Sequence, residues 1–222
     1  MTPTSPRFIA IEGLDASGKG TQAALLASAL TTAGLSVDTW SFPRYGLFFG
    51  NRIKELLAGK DDVSATTLDP SSMALWFATD RWDAINTMAD ATRKADVILL
   101  NRWTLSNAVY QGARCATELD QNQFFDWVLD LEYGHFRLPR PTINIVLEVS
   151  VETSMTRARE RATSAGDQPD VYELSARLLH NSRRLYRRAA DSLPEVQRIE
   201  VDGLDVSSVH QKVASLVNDT LR

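Results

Sequence analysis

Phe8-Ile9-Ala10-Ile11-Glu12-Gly13-Leu14-Asp15-Ala16-Ser17-Gly18-Lys19-Gly20-Thr21-Gln22 reads in succession as a buried strand, a glycine-framed loop and the start of a helix. The loop has the spacing G-x-x-x-x-G-K, with Gly20 where a Ser or Thr hydroxyl is usual. The physical sense of the pattern is anion capture. Gly13 and Gly18 let the backbone turn so that its N–H groups converge, the helix that follows adds its positive end, and Lys19 reaches the outer phosphates. An ordinary strand-to-helix turn would leave a lysine at the helix mouth without a purpose. The stretch therefore predicts a nucleotide phosphate site.

Outward from this loop, extended and helical patterns alternate. Strands are predicted at Arg7–Glu12, Ser36–Ser41, Ala95–Leu100, Thr142–Glu148 and Gln197–Val201, short apolar runs with β-branched residues, as strands covered on both faces should be. Helices are predicted at Lys19–Thr32, Gly46–Ala58, Pro70–Lys94, Leu105–Thr117, Asn122–Phe136, Val151–Arg161, Val171–Ser192 and Val206–Leu221. Asp69-Pro70 is a start signal, a capping side chain followed by proline in the first turn, and Asp205 can cap the last helix. The alternation predicts an α/β domain spanning 1–222, a five-stranded parallel sheet with helices on both faces. Ligands of such sheets collect at the carboxyl ends of the strands. The small, polar stretch Ala162–Pro169 follows Arg157, Arg159 and Arg161 and reads as a mobile loop, a connector or a phosphate-closing lid.

The chain has 222 residues, 44% hydrophobic and 23% charged, with a net charge of −4. That balance is an ordinary globular one and argues against a general nucleic-acid or membrane-surface binder. Cys115 is the single cysteine, which rules out an internal disulfide and fits a reducing cytoplasm. Met1 to Pro6 lacks the layout of a leader peptide, and no apolar run reaches the length of a membrane span. Arg183, Arg184, Arg187 and Arg188 are read as a solvated helix face with ion pairs. His135, His180 and His210 show no metal-ligand spacing.

Further along, Asn101-Arg102-Trp103-Thr104-Leu105-Ser106-Asn107-Ala108-Val109-Tyr110-Gln111-Gly112 resembles the segment that thymidylate kinases carry after the third strand. Phe42-Pro43-Arg44-Tyr45, Phe77 with Arg81, Leu138-Pro139-Arg140-Pro141 and Asp170-Val171-Tyr172-Glu173 resemble other segments of that family, in its order. The resemblance implies a P-loop NTPase fold with a short lid, about 157–173, that passes the ATP γ-phosphate to dTMP with Mg2+, in a homodimer. It implies ATP contacts from Gly13, Leu14, Asp15, Ala16, Ser17, Gly18, Lys19, Gly20 and Thr21. It places Arg102, Arg44, Tyr45, Phe77, Arg81, Ser106, Asn107, Tyr110, Asp170 and Tyr172 around the acceptor. In that picture Phe77 stacks on the pyrimidine, Arg81 hydrogen-bonds its exocyclic oxygen, and Asn107 and Tyr110 read its other edge and the sugar. Trp103 serves the pocket or the core, and Glu12 holds groups behind the site. Phosphoryl transfer between two polyanions needs fixed cations on both sides, which suits Lys19 on the donor and bidentate arginines on the acceptor.

The chain departs from the family at Asn101, where aspartate is usual, at Gly20, which lacks the metal-binding hydroxyl, and at Ala16, where one branch carries a catalytic arginine. The last departure moves the catalytic charge to Arg157 and Arg161, four apart on one helix face. Asp15 and Asn101 are the expected metal-side groups, acting through water. The loop Gly18-Lys19-Gly20-Thr21-Gln22 also matches adenylate kinases, so an AMP kinase, a kinase for a modified dUMP and a weakly catalytic binding protein stay open.

Overall fold

The structure, a computed structural model, describes residues 6–60 and 62–221; most of the N-terminal segment read for a leader lies outside them. Fourteen elements follow one another: β1 (Arg7–Gly13), α1 (Lys19–Thr32), β2 (Val37–Ser41), α2 (Phe48–Ala58), α3 (Pro70–Thr92), β3 (Val97–Asn101), α4 (Thr104–Gly112), α5 (Glu118–Leu129), a π-helical turn (Asp130–His135), β4 (Ile143–Glu148), α6 (Val151–Ala165), α7 (Ala176–Ser192), β5 (Val196–Glu200) and α8 (Val206–Leu221). The strands form one parallel sheet in the order β2-β3-β1-β4-β5. The predicted architecture is therefore present.

β1 lies at the centre because it can be buried on both faces. Ile9 and Ile11 point into the larger core beneath α1, α4 and α7, and Ala10 points into a smaller one shared with Ile98, Leu100, Ala84 and Met88. β5, at an edge, carries Arg198 and Glu200 outward, charges that block further pairing. β1 and β3 run side by side with Ile11 opposite Asn101, so the phosphate loop and Arg102 emerge next to each other. The chain crosses from one side of β1 to the other between β3 and β4, which makes this end of the sheet the natural crevice.

Both predicted caps hold. The Asp69 side chain accepts from the Ser71 N–H at 2.8 Å, and that of Asp205 from the Ser208 N–H at 2.7 Å. Several predicted helix limits do not, and the helix expected over Asn122–Phe136 is α-helical over Glu118–Leu129. The helix expected over Leu105–Thr117 stops at Gly112, and Thr117 caps a separate α5 by accepting from the Asp120 N–H at 3.1 Å. At Gly112 a Cβ would stand 3.0 Å from the Gln121 carbonyl oxygen, so glycine permits the tight approach of α5. The supposed loop at 162–169 is helical through Ala165, until Gly166 takes the left-handed conformation (φ 68°) that ends α6. The helix expected from Val171 begins at Ala176, where the Ser175 hydroxyl accepts from the Leu178 N–H at 3.3 Å. The chain before it turns instead, because Asp170 Oδ1 accepts from the N–H groups of Tyr172 and Glu173, each at 2.9 Å.

Candidate active site

The loop after β1 closes tightly. Gly13 (φ 136°) passes so close to β4 that a Cβ would overlap the Leu147 carbonyl oxygen, and Gly18 (φ 93°) opens α1 from a left-handed conformation. Ala16 and Arg102 are left-handed without being glycine (φ 55° and 65°), and such backbone strain clusters at functional sites. The Ser154 hydroxyl of α6 ties the loop down by donating to the Asp15 carbonyl at 2.7 Å.

A cleft of about 990 Å³ lies over this loop, lined by Asp15, Ala16, Gly18, Lys19, Gly20 and Thr21 on one side and Asn101, Arg102, Arg161, Asp170 and Glu173 on the other. Gly13, Leu14 and Ser17 are buried and do not line it. Lys19 is buried and donates Nζ to the Leu14 carbonyl at 2.6 Å. Burial, and then the nearby Arg102 charge, push its ammonium down to about 7.

A second cavity, of about 510 Å³, adjoins the first and shares Asp15, Phe42, Pro43, Tyr45, Arg102 and Asp170 with it. Its far end is lined by Phe77, Arg81, Ser106, Asn107, Tyr110, Gln111 and Tyr172. The acceptor-side residues expected from sequence thus converge here, except Arg44. That guanidinium lies outside both linings, paired with Asp80 (Nε–Oδ1 3.0 Å) and Asp83 (Nη2–Oδ2 2.6 Å). Arg161 reaches the cleft, ion-paired with Glu173, whereas Arg157 is exposed and lines neither space. Trp103 is wholly buried against Phe42 and donates Nε1 to the Pro139 carbonyl at 3.0 Å, which makes it a core residue.

Asp15 and Arg102 join the two spaces. Arg102 pairs with Asp15 and donates Nη1 to the Gly13 carbonyl (3.1 Å) and the Ser106 hydroxyl (3.0 Å). The Tyr110 hydroxyl donates to Asp15 Oδ2 at 2.7 Å and accepts from the Asp15 N–H at 3.1 Å. Burial favours a neutral Asp15, but the Arg102 charge and then Lys19 outweigh it and hold the carboxyl down at about 2. Asp170 shows the opposite outcome: burial, with Asp15 and Glu173 beside it, raises it to about 7. Tyr45 is pushed up to about 12 by burial and by Asp170. Glu12 lies behind the site, fully buried, accepting from the Trp103 N–H at 2.7 Å and from the Ser106 hydroxyl. Burial raises its carboxyl.

Sequence reasoning missed the residues that hold the far end in shape. Glu132, in the π-helical turn, accepts from Arg81 Nε (2.6 Å) and Nη2 (2.5 Å), Asn107 Nδ2 (2.7 Å) and the Thr104 hydroxyl (2.9 Å). Gln111 accepts at Oε1 from Tyr172 (3.0 Å) and Arg114 (2.9 Å), which leaves its buried Nε2 unpaired at the cavity wall. Asp80, the partner of Arg44, was legible only as part of the Phe77–Arg81 segment.

For a metal, the observation that bears on fit is Asn101. Its Oδ1 is buried and unpaired while the residue lines the phosphate cleft, and Nδ2 is spent on the Ser41 hydroxyl at 3.1 Å. A hard carbonyl oxygen beside a phosphate site suits Mg2+, which keeps several waters and takes few protein ligands. Among the described residues no group of three or more His, Cys, Asp or Glu side chains stands at metal-binding spacing. Also among them, no helix is long and apolar enough to cross a membrane.

This sheet order, with a glycine loop between its central strand and α1, defines a P-loop NTPase fold whose cleft is built for nucleotide phosphates. A sequence profile described as thymidylate kinase matches residues 11–213. A thymidylate kinase from Mycobacterium tuberculosis is 37% identical over 82% of this chain and 85% of its own. A probable thymidylate kinase from Thermococcus kodakarensis is 30% identical over 96% and 98%. The solved structure of a thymidylate kinase from Candida albicans superposes with a TM-score of 0.75 over 100% of this chain and 96% of that one, and at 23% identity it speaks for the fold. The chain belongs to the thymidylate kinase family.

Proposed function

We propose that the protein transfers the γ-phosphoryl group of ATP to dTMP, giving dTDP and ADP, as a cytoplasmic homodimer. The observation that carries this reading is a pair of adjoining spaces with two different ends. One end is a phosphate loop with Lys19; the other is lined by Phe77, Arg81 and Asn107; Asp15 and Arg102 line both. A module that only binds one nucleotide has no use for the second end.

In this reading the amides of the loop and Lys19 hold the β- and γ-phosphates of ATP. Phe77 packs on the pyrimidine face and Tyr110 on the sugar. Arg102 grips the acceptor phosphate, and an oxygen of that phosphate attacks the γ-phosphorus in line with the departing ADP oxygen. Such transfer is mostly positioning and charge neutralisation. Arg161 supplies charge to the transferred group once it leaves Glu173, and Arg157 joins it only if α6 closes further. Asn101 and Asp15, acting through water, would hold Mg2+, which would supply neutralisation of phosphate charge there. Arg44 steadies the acceptor side from its aspartate pair. The homodimer follows from membership of the family alone.

The test is ADP release from ATP and Mg2+ with dTMP, dUMP, AMP, CMP, GMP and UMP in parallel. Release that depends on dTMP well above the others is expected. Release with AMP favours the adenylate kinase reading of the Gly20 loop, and release independent of any monophosphate defeats the kinase reading altogether.

A further inference from the structure

Asn107 has two hydrogen-bonding ends, and only one is satisfied inside the protein. Nδ2 donates to the Ala74 carbonyl (3.0 Å) and to Glu132 Oε1 (2.7 Å). Oδ1 is buried, has no partner, and belongs to a residue that lines the base cavity. The orientation is not arbitrary. Turning the amide over would point its carbonyl oxygen at two acceptors, one a carboxylate oxygen, and repulsion there forbids it. The same carboxylate clamps Arg81 through Nε and Nη2, which leaves the Nη1 N–H groups of that guanidinium for the cavity.

We propose that Glu132 is a positioning residue for base selection: by fixing the Asn107 amide it presents an acceptor, and by fixing Arg81 a donor, to the edge of the base. This rests on the reading of the cavity as a pyrimidine monophosphate site. A ring with an N3–H donor beside a carbonyl at C4, thymine or uracil, matches that pair. Cytosine offers a bare N3 to the Asn107 oxygen and an amino group to Arg81, so both contacts fail, and polar sites reject such mismatches strongly. Nothing in the acidic run Asp130-Leu131-Glu132 announces this role.

Glu132→Gln tests it, because the substituted amide replaces an acceptor oxygen with a donor and frees Asn107 to turn. The ratio of kcat/KM for dTMP to that for dCMP is expected to fall about tenfold, the effect of about one hydrogen bond. The change should come mainly through KM, and the ratio of dTMP to dUMP should stay within about twofold because both carry N3–H. A folded variant with an unchanged dTMP-to-dCMP ratio overturns the proposal, since the Ala74 carbonyl alone would then hold the amide. If the variant does not fold, the wild-type protein still tests the amide orientation that the proposal requires. With 15N-asparagine labelling, the Asn107 side-chain amide protons, assigned by their loss in Asn107→Asp, should exchange slowly with and without dTMP. Fast exchange in the free protein shows that Nδ2 faces the cavity and overturns it. Because the free-protein exchange needs no substrate, it separates failure of this proposal from failure of the kinase reading.

Discussion

Lys19 offers the sharpest test of how the phosphate loop works. In the free protein its ammonium is driven down to about 7 by burial and by Arg102, so at pH 8 about nine-tenths of the molecules carry a neutral lysine. The phosphates of ATP place several negative charges against Nζ, and the charged form becomes strongly favoured. Binding at pH 8 should therefore take up about 0.9 proton per ATP, and at pH 7 about 0.5. The γ-phosphate itself is already ionised at pH 8, and Lys19→Met separates this uptake from that of Asp170, which lines the same cleft and is raised to about 7. Calorimetric titration of ATP with Mg2+ in buffers of different ionisation enthalpy measures the uptake directly. By linkage, affinity should also weaken about 50-fold from pH 7 to pH 9. Stability should move the other way. With a folded pKa below the unfolded value of 10.5, the unfolded chain holds more protons between about 7 and 10.5, so this group makes folding more favourable as pH rises through that window. Uptake below about 0.2 proton at pH 8 would refute the argument, as would uptake undiminished in Lys19→Met.

Arg161→Ala should lower kcat by about 10³ with little change in ATP affinity, since a transition-state arginine acts on the transferred group; full turnover in steady-state assays removes it from that role. Asn101→Asp should raise turnover or lower the Mg2+ concentration needed for half activity, read from a metal titration, and no change in either ends the idea that the amide weakens metal organisation. Gly13→Ala should destabilise the fold by several kcal/mol, because its Cβ meets the Leu147 backbone and its φ of 136° suits glycine alone; thermal melting reads this, and a wild-type Tm would refute the packing argument.

The sheet was legible because strands buried on both faces must be apolar, and β1, β3 and β4 are. The phosphate loop was legible because its glycines answer to backbone conformations that other residues rarely adopt. What stayed hidden was set by contacts between distant elements. No local pattern says that Glu132 meets Arg81 from 51 positions away, or that Asp80 rather than a ligand holds Arg44 in the free protein. The π-helical turn that swings Glu132 inward closes on an i→i+5 bond, Phe136 N–H to the Leu131 carbonyl at 2.9 Å, and it looks in sequence like the continuation of α5. The extension of α6 into the expected lid had a signal in Gly166, a C-terminal stop read instead as part of a loop.

In the proposed reaction, Asp15 is the residue that joins the two nucleotide sites. Its carboxylate takes Arg102 on Oδ1 and Tyr110 on Oδ2, and its backbone takes Ser154 from α6. The residue thus ties the donor loop to the acceptor helix α4 and to the helix that carries Arg161. Its charge also offsets that of Arg102 while the site is open, so the guanidinium is held pointing at the junction despite the like charge of Lys19 nearby. An arriving phosphate meets an arginine already oriented by Gly13, Asp15 and Ser106, and little of its reach must be ordered on binding. The same contacts exact a constraint: Arg102 sits at φ 65°, a conformation tolerable only because Glu12 accepts from the Trp103 N–H that follows and the Ile11 carbonyl from the N–H of Arg102 itself. The buried carboxylate of Glu12, which lines neither cavity, is in this sense what helps Arg102 stand where the two cavities join.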